Sequence, residues 1–271
     1  MRVGVFGLGR MGAPIARALG ERWEVVTYDP VVAPGDPVAI AASVDVLVTV
    51  LPGAAEVRET MGPVLAALPQ GALWLDLTSG DPRVTRELAH PAIDVVGAPM
   101  AGGPAAAEAR TLRFFAGGAV GRAADILGAL GTVEVIGPDV GDGYTAKLLA
   151  NLLWFGQVVA VTEALLLGQS LGLPPARLRS VLAASAGGSA FIDEYLDRLL
   201  EGDYLETFGL DRAVEELDTL ASLARQEGVP FELSELVARL HREALERFGA
   251  VDGELLAAKL LEERAGRTLR G

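Results

Sequence analysis

The stretch Gly141-Asp142-Gly143-Tyr144-Thr145-Ala146-Lys147-Leu148-Leu149-Ala150-Asn151 opens an apolar run that continues through Trp154, Phe155, Val158, Val159, Val161 and Leu165 to Gly172 without a proline. Pro174 follows soon after. The pattern predicts one helix over residues 141–172, roughly 45 Å long at about 1.5 Å per residue. Its apolar residues go all the way round, which predicts a helix covered on every side, standing between two domains or two subunits. Lys147, Asn151, Gln157, Glu163 and Gln169 interrupt the run too regularly for a membrane span, so no membrane partner is expected.

Lys147 and Asn151 are four residues apart and therefore share one face of this helix. Lys147 and Lys259 are the only lysines, against twenty-one arginines. A position that wanted only positive charge would carry arginine in such a chain. Position 147 wants an amine, which can give up its proton when desolvated, whereas a guanidinium cannot.

With 271 residues and 51% hydrophobic content, the chain is long enough for one large or two ordinary domains with a real core. A formal charge of −13 disfavours nucleic acid and anionic membrane surfaces. The absence of cysteine removes disulfides, thiolate chemistry and Cys-based zinc sites. His90 and His241 are the only imidazoles, neither at metal-ligand spacing, so both read as structural and no metal is expected.

Residues 2–7 read as a buried strand, and a strand starting there leaves no room for a secretion signal, so a cytoplasmic protein is expected. Gly7-Leu8-Gly9-Arg10-Met11-Gly12 follows, then a helical pattern with Ile15, Ala16 and Leu19, then a second strand over 23–28 ending in Asp29. Glycines in this spacing between strand and helix, with an acid about 20 residues on at a strand end, mark a dinucleotide site. Gly7 allows the tight turn, Gly9 lets the backbone approach the pyrophosphate, and Gly12 lets the helix pack closely. The helix N-terminus faces the phosphates. Asp29 can accept hydrogen bonds from the adenosine ribose and would repel a 2′-phosphate. No arginine follows before Arg58, so NAD is favoured over NADP.

Further strands over 44–51, 72–77, 93–96, 113–116 and 133–136 alternate with helices over 55–67, 82–90 and 122–130, as in a doubly wound α/β sheet. Beyond Gly137 and Pro138 the strand signals stop and helices over 175–184, 190–200, 210–227, 232–248 and 254–264 follow the long one. The expected division is a Rossmann-type dinucleotide-binding domain over 1–139 and an all-helical substrate and oligomerisation domain over 140–271, joined by the long helix.

Several linked motifs in this order resemble the β-hydroxyacid dehydrogenase family, which includes 3-hydroxyisobutyrate dehydrogenase and tartronate semialdehyde reductase. They are the glycine loop from Gly7 to Gly12, Leu51-Pro52, Asp76-Leu77-Thr78-Ser79 with Pro82, Ala98-Pro99-Met100-Ala101-Gly102-Gly103, Thr111-Leu112, and Gly141 through Lys147 to Asn151. The resemblance implies an active site between a Rossmann domain and a helical one. It makes Lys147 the general acid/base, gives Asn151 the substrate, sets the Gly102 and Gly103 backbone on a carboxylate, and lines the cofactor with Leu51, Pro52 and Thr78. Hydride would leave the carbinol carbon for nicotinamide C4 while Lys147 takes the hydroxyl proton. That requires an amine of reference pKa about 10.4 to be brought toward working pH by burial beside a cation.

The substrate side departs from the family pattern. Gly97 stands in the place of an acid, and Ala101 in the place of a serine whose hydroxyl helps bind substrate. Ala150 replaces a second asparagine, Arg110 a glycine, and Glu215-Glu216 a lysine and aspartate pair. Losing one hydrogen bond to a charged group changes affinity by about 1.5–3 kcal/mol, so the usual substrate is in question. The leading expectation is an NAD-dependent oxidoreductase of a small β-hydroxyacid or its semialdehyde, assembled as a homodimer or tetramer. The alternatives are imine reduction and a dinucleotide-binding protein without turnover, and Lys147 argues against both.

Overall fold

The computed structural model describes residues 1–270 and divides into two compact units, Met1–Leu148 and Leu149–Gly271. The first unit is built on an eight-stranded sheet of order β2-β1-β3-β4-β5-β7-β6, with β8 on β7. The strands are β1 (Arg2–Phe6), β2 (Glu24–Tyr28), β3 (Val46–Thr49), β4 (Leu73–Asp76), β5 (Asp94–Gly97), β6 (Met100–Ala101), β7 (Leu112–Gly118) and β8 (Gly131–Gly137). β1 to β5 are parallel, and β7 then runs antiparallel to β5. The central strands read as unbroken apolar runs because both faces are covered. One face packs Ile15 and Leu19 of α1 (Gly12–Gly20) and Ile126 and Leu127 of α6 (Val120–Gly128) against Val5, Val48, Leu75 and Phe114. The other packs Val57 and Met61 of α3 (Ala54–Val64) and Val84 of α4 (Pro82–Leu88) against Phe6, Leu47 and Trp74. Two short helices escape the sequence reading, α2 (Pro37–Ala41) and α5 (Gly103–Ala109), since neither is long enough to show a period.

The long helix is α7 (Asp142–Ser170). Asp142 sits in its first turn, where a carboxylate complements the helix dipole, and accepts the Asp139 N–H at 3.0 Å. Gly172, at φ +91°, turns the chain out, with Leu173 N–H donating to the Gly168 carbonyl at 3.0 Å. The compact units part inside α7, after Leu148, because the first turns carry buried Gly143, Tyr144 and Leu148 onto the sheet unit.

The second unit holds the rest of α7 with α8 (Pro175–Ala183), a π-helical turn over Phe191–Tyr195, α9 (Leu196–Glu201), α10 (Leu210–Glu227), α11 (Glu232–Phe248) and α12 (Leu256–Ala265). Val158, Val161 and Leu165 of α7 join Phe191, Leu196, Leu199 and Leu255 in one core, and Phe155 and Val159 join Leu217, Val237 and Leu240 in another. A single chain covers this helix only in part. Leu149, Leu153 and Leu167 are exposed, and so is Leu171 just beyond, so the chain's own helices cover only part of the circumference.

Candidate active site

The glycine loop follows β1 and leads into α1. Gly7 has φ +90°, a conformation only glycine adopts without strain, with the Val50 carbonyl packed where a side chain would go. A methyl group at Gly12 would overlap the Gly7 carbonyl, so the first turn of α1 can lie on the end of β1 only because residue 12 has none. At Gly9 an added methyl would meet nothing within 4 Å, which leaves that side of the loop open. The first turn of α1 has no acid, and its N-cap, Met11, offers no side-chain acceptor. Leu8 and Arg10 lie in the same turn. An open loop before an uncapped helix N-terminus fits a pyrophosphate.

Asp29, at the end of β2, is fastened to this loop. Its Oδ2 accepts the Leu8 N–H at 2.8 Å, and its Oδ1 accepts Val31 N–H at 2.9 Å and Val32 N–H at 3.1 Å. The Leu8 hydrogen bond, helped by those from Val31 and Val32 against partial burial, holds the carboxyl below its usual range, and no cation contributes. Val31 and Val32 themselves are exposed.

At the carboxyl ends of β3 and β4 lies a buried polar network of which the sequence-based site held only Thr78. Asp76 Oδ1 accepts Thr49 Oγ1–H at 2.7 Å and Thr78 N–H at 3.1 Å, and Asp76 Oδ2 accepts the Tyr144 hydroxyl at 2.5 Å. Trp74 Nε1–H donates to Thr49 at 2.9 Å and Thr85 donates to the Tyr144 oxygen at 3.0 Å. Burial pushes the Asp76 carboxyl up, and the hydrogen bonds from Tyr144, Thr78 and Thr49 oppose it. Burial and then the neighbouring Asp76 charge push the Tyr144 phenol well above its usual value, so the phenol keeps its proton. Thr78, also buried, accepts the Leu51 N–H on Oγ1 at 3.0 Å and so braces the Leu51-Pro52 turn that follows β3. One signal was legible: Thr49 and Asp76 are polar residues closing otherwise apolar buried strands.

Lys147 lies half-buried three residues after Tyr144, on the same side of α7. One turn further, Asn151 Nδ2–H donates to Glu216 Oε2 at 2.6 Å, and Glu216 is buried. Glu216 was read from the sequence as half of a reversed charge pair, and it is instead the partner that orients Asn151. Glu215 is held by Arg212 at 2.9 Å, so the local charge is balanced within one turn of α10.

Ala101 closes β6, and Gly102 (φ +125°) and Gly103 (φ +63°) carry the chain into α5 with both glycines exposed. Arg110 ends α5 at φ +57°, which explains why the resemblance puts glycine there, and its side chain pairs with Glu21. Among the described residues no group of three or more acidic or histidine side chains could hold a metal ion.

Two family models cover most of the chain. One, described as the NAD binding domain of 6-phosphogluconate dehydrogenase, matches residues 2–137, and one described as the NAD-binding of NADP-dependent 3-hydroxyisobutyrate dehydrogenase matches residues 141–261. The chain is 29% identical to the 2-(hydroxymethyl)glutarate dehydrogenase of Eubacterium barkeri, over 89% of this chain and 88% of that one. It is 29% identical to the mitochondrial 3-hydroxyisobutyrate dehydrogenase of Homo sapiens, over 89% and 80% of the two chains. The solved 3-hydroxyisobutyrate dehydrogenase of Mycobacterium tuberculosis with L-serine shares the fold, with a TM-score of 0.85 at 24% identity over 96% of this chain and 98% of that one.

Proposed function

The chain belongs to the β-hydroxyacid dehydrogenase family, and on that premise we propose that it oxidises a small β-hydroxyacid to its semialdehyde, or runs the reverse reduction, with NAD as partner. The observation that carries this reading is the anchorage of α7. Tyr144, in its first turn, is hydrogen-bonded to Asp76 at the carboxyl end of β4, which brings Lys147's turn to the edge of the sheet where the glycine loop also lies. Ligands of open α/β sheets bind at that edge.

The nicotinamide, when bound, supplies the hydride acceptor. Lys147 takes the proton from the substrate hydroxyl during oxidation and returns it during reduction. Glu216 holds the Asn151 amide for the substrate, and the N–H groups of Gly102 and Gly103 meet its carboxylate. Ala101 provides no hydroxyl beside them, which supports an acid other than the one a serine there would select. Oxidation of 3-hydroxyisobutyrate and of longer and more polar β-hydroxyacids with NAD tests the reading. Turnover of at least one is expected, and none across the set overturns it.

The cofactor preference rests on Asp29. Backbone N–H donors hold its pKa low and so keep it charged, and Pro30, Val31 and Val32 bring no side-chain cation to a 2′-phosphate. NAD should bind roughly tenfold tighter than NADP or better. Fluorescence titration of both checks this, and tighter NADP binding overturns it.

The apolar stripe of Leu149, Leu153 and Leu167 with Leu171 supports a second copy of the chain as its cover, giving a homodimer or tetramer. Sedimentation at micromolar concentration should show an even-numbered oligomer that Leu153→Glu weakens. A monomeric native protein contradicts it.

A further inference from the structure

Residues 97 and 144 compete for one space. A methyl group at Gly97 would overlap the Tyr144 ring and press on the Val140 carbonyl, and one at Gly143 would overlap the Phe115 carbonyl and approach that of Gly97. The first turn of α7 therefore lies directly on the ends of β5 and β7. The Tyr144 ring crosses the gap that Gly97 leaves, and its hydroxyl ends on Asp76. From there a hydrogen-bonded chain continues through Thr78 to the Leu51 backbone, the residues that the family resemblance sets beside the cofactor. In this chain the Tyr144 ring fills the place that a side chain at 97 would need.

Asp76 is buried, burial pushes its carboxyl up, and its hydrogen-bond donors are all neutral. In such a network each donor matters, because a carboxylate that loses one finds no water to replace it. Tyr144 is the donor that arrives from α7. The other donors come from the sheet unit's own strand ends and the turn after β4.

We infer that Tyr144 is a positioning residue for Lys147: its hydroxyl, held by Asp76 in the space left by Gly97, sets the first turn of α7 against Leu51 and Thr78. The inference rests on Lys147 being the acid/base of the proposed reaction, but its test needs no turnover. Lys147 and Lys259 are the only lysines, and Lys259 lies in the other compact unit against the Tyr204 and Phe248 rings. Competitive acetylation with acetic anhydride, read peptide by peptide by mass spectrometry, therefore reports on Lys147 with Lys259 as internal reference.

Tyr144→Phe keeps the ring and removes the hydroxyl, and Asp76→Asn keeps the shape and replaces one carboxyl oxygen by an amide donor. Each should change the Lys147 to Lys259 labelling ratio by about threefold or more. A role confined to stability would lower the melting temperature and leave the ratio at its native value, and that result in Tyr144→Phe overturns the inference. Should Asp76→Asn not fold, Tyr144→Phe alone decides. Absence of hydroxyacid turnover by the native enzyme would instead count against the proposed reaction, so the two failures are distinguishable.

Discussion

Replacing Lys147 by alanine is expected to lower kcat by about 10² to 10⁴, the contribution of a positioned acid/base, while NAD affinity stays near its native value. The separation follows from the fold. The glycine loop from Gly7 to Gly12 lies at the end of β1, whereas Lys147 belongs to α7. Lys147→Arg should be nearly as damaging. It keeps the positive charge, but a guanidinium does not release a proton at neutral pH. Asn151→Ala should chiefly raise KM, provided the amide held by Glu216 binds ground and transition states alike. Steady-state kinetics of the three variants, with NAD binding measured in parallel, checks the set. A Lys147→Arg enzyme with near-native kcat would show that position 147 supplies charge only.

The second large effect concerns stability toward acid. His241 is fully buried in α11, its ring edge-on to Phe155 at 5.0 Å between centroids, and its Nδ1–H donates to the Val237 carbonyl at 2.9 Å. Burial, partly offset by that carbonyl, lowers its pKa from 6.5 to about 4. The folded protein therefore holds the ring neutral where the unfolded chain protonates it. As pH falls from the unfolded value near 6.5 toward the folded value near 4, the unfolded state binds more protons and stability is lost. At 1.36 kcal/mol per pKa unit the loss between pH 7 and pH 4.5 is about 2–3 kcal/mol from this residue. His241→Leu should remove that share of the pH dependence. Urea unfolding of both proteins at the two pH values measures it, and parallel losses in wild type and variant would contradict the assignment.

The parts legible in the sequence are those written locally. The glycine loop and Asp29 are separated by one helix and one strand, so spacing alone relates them, and Lys147 and Asn151 are related by helical periodicity. The sheet's alternation with helices and the change to all-helical sequence after residue 138 were equally plain. What the sequence hid depends on contacts across strand order. Tyr144 meets Asp76 across 68 residues and Thr49 meets Asp76 across 27, and no periodicity connects them. Gly97 looked like a lost acid until the Tyr144 ring was found in its space. Arg110 looked like a changed specificity residue, whereas its backbone is in the left-handed region and its side chain pairs with Glu21. How α7 is covered lay beyond the sequence for a related reason: composition shows that a helix is apolar all round, but not which part of it the chain itself covers.

The most direct test of hydride transfer by this chain uses a β-hydroxyacid deuterated at the carbinol carbon. Incubated with the native enzyme and NAD, it should yield reduced nicotinamide carrying the deuterium, seen by mass spectrometry, and Lys147→Ala should slow its appearance by the same factor as kcat. Tight binding of NAD with no deuterium reaching the nicotinamide from any β-hydroxyacid in the set would contradict the account.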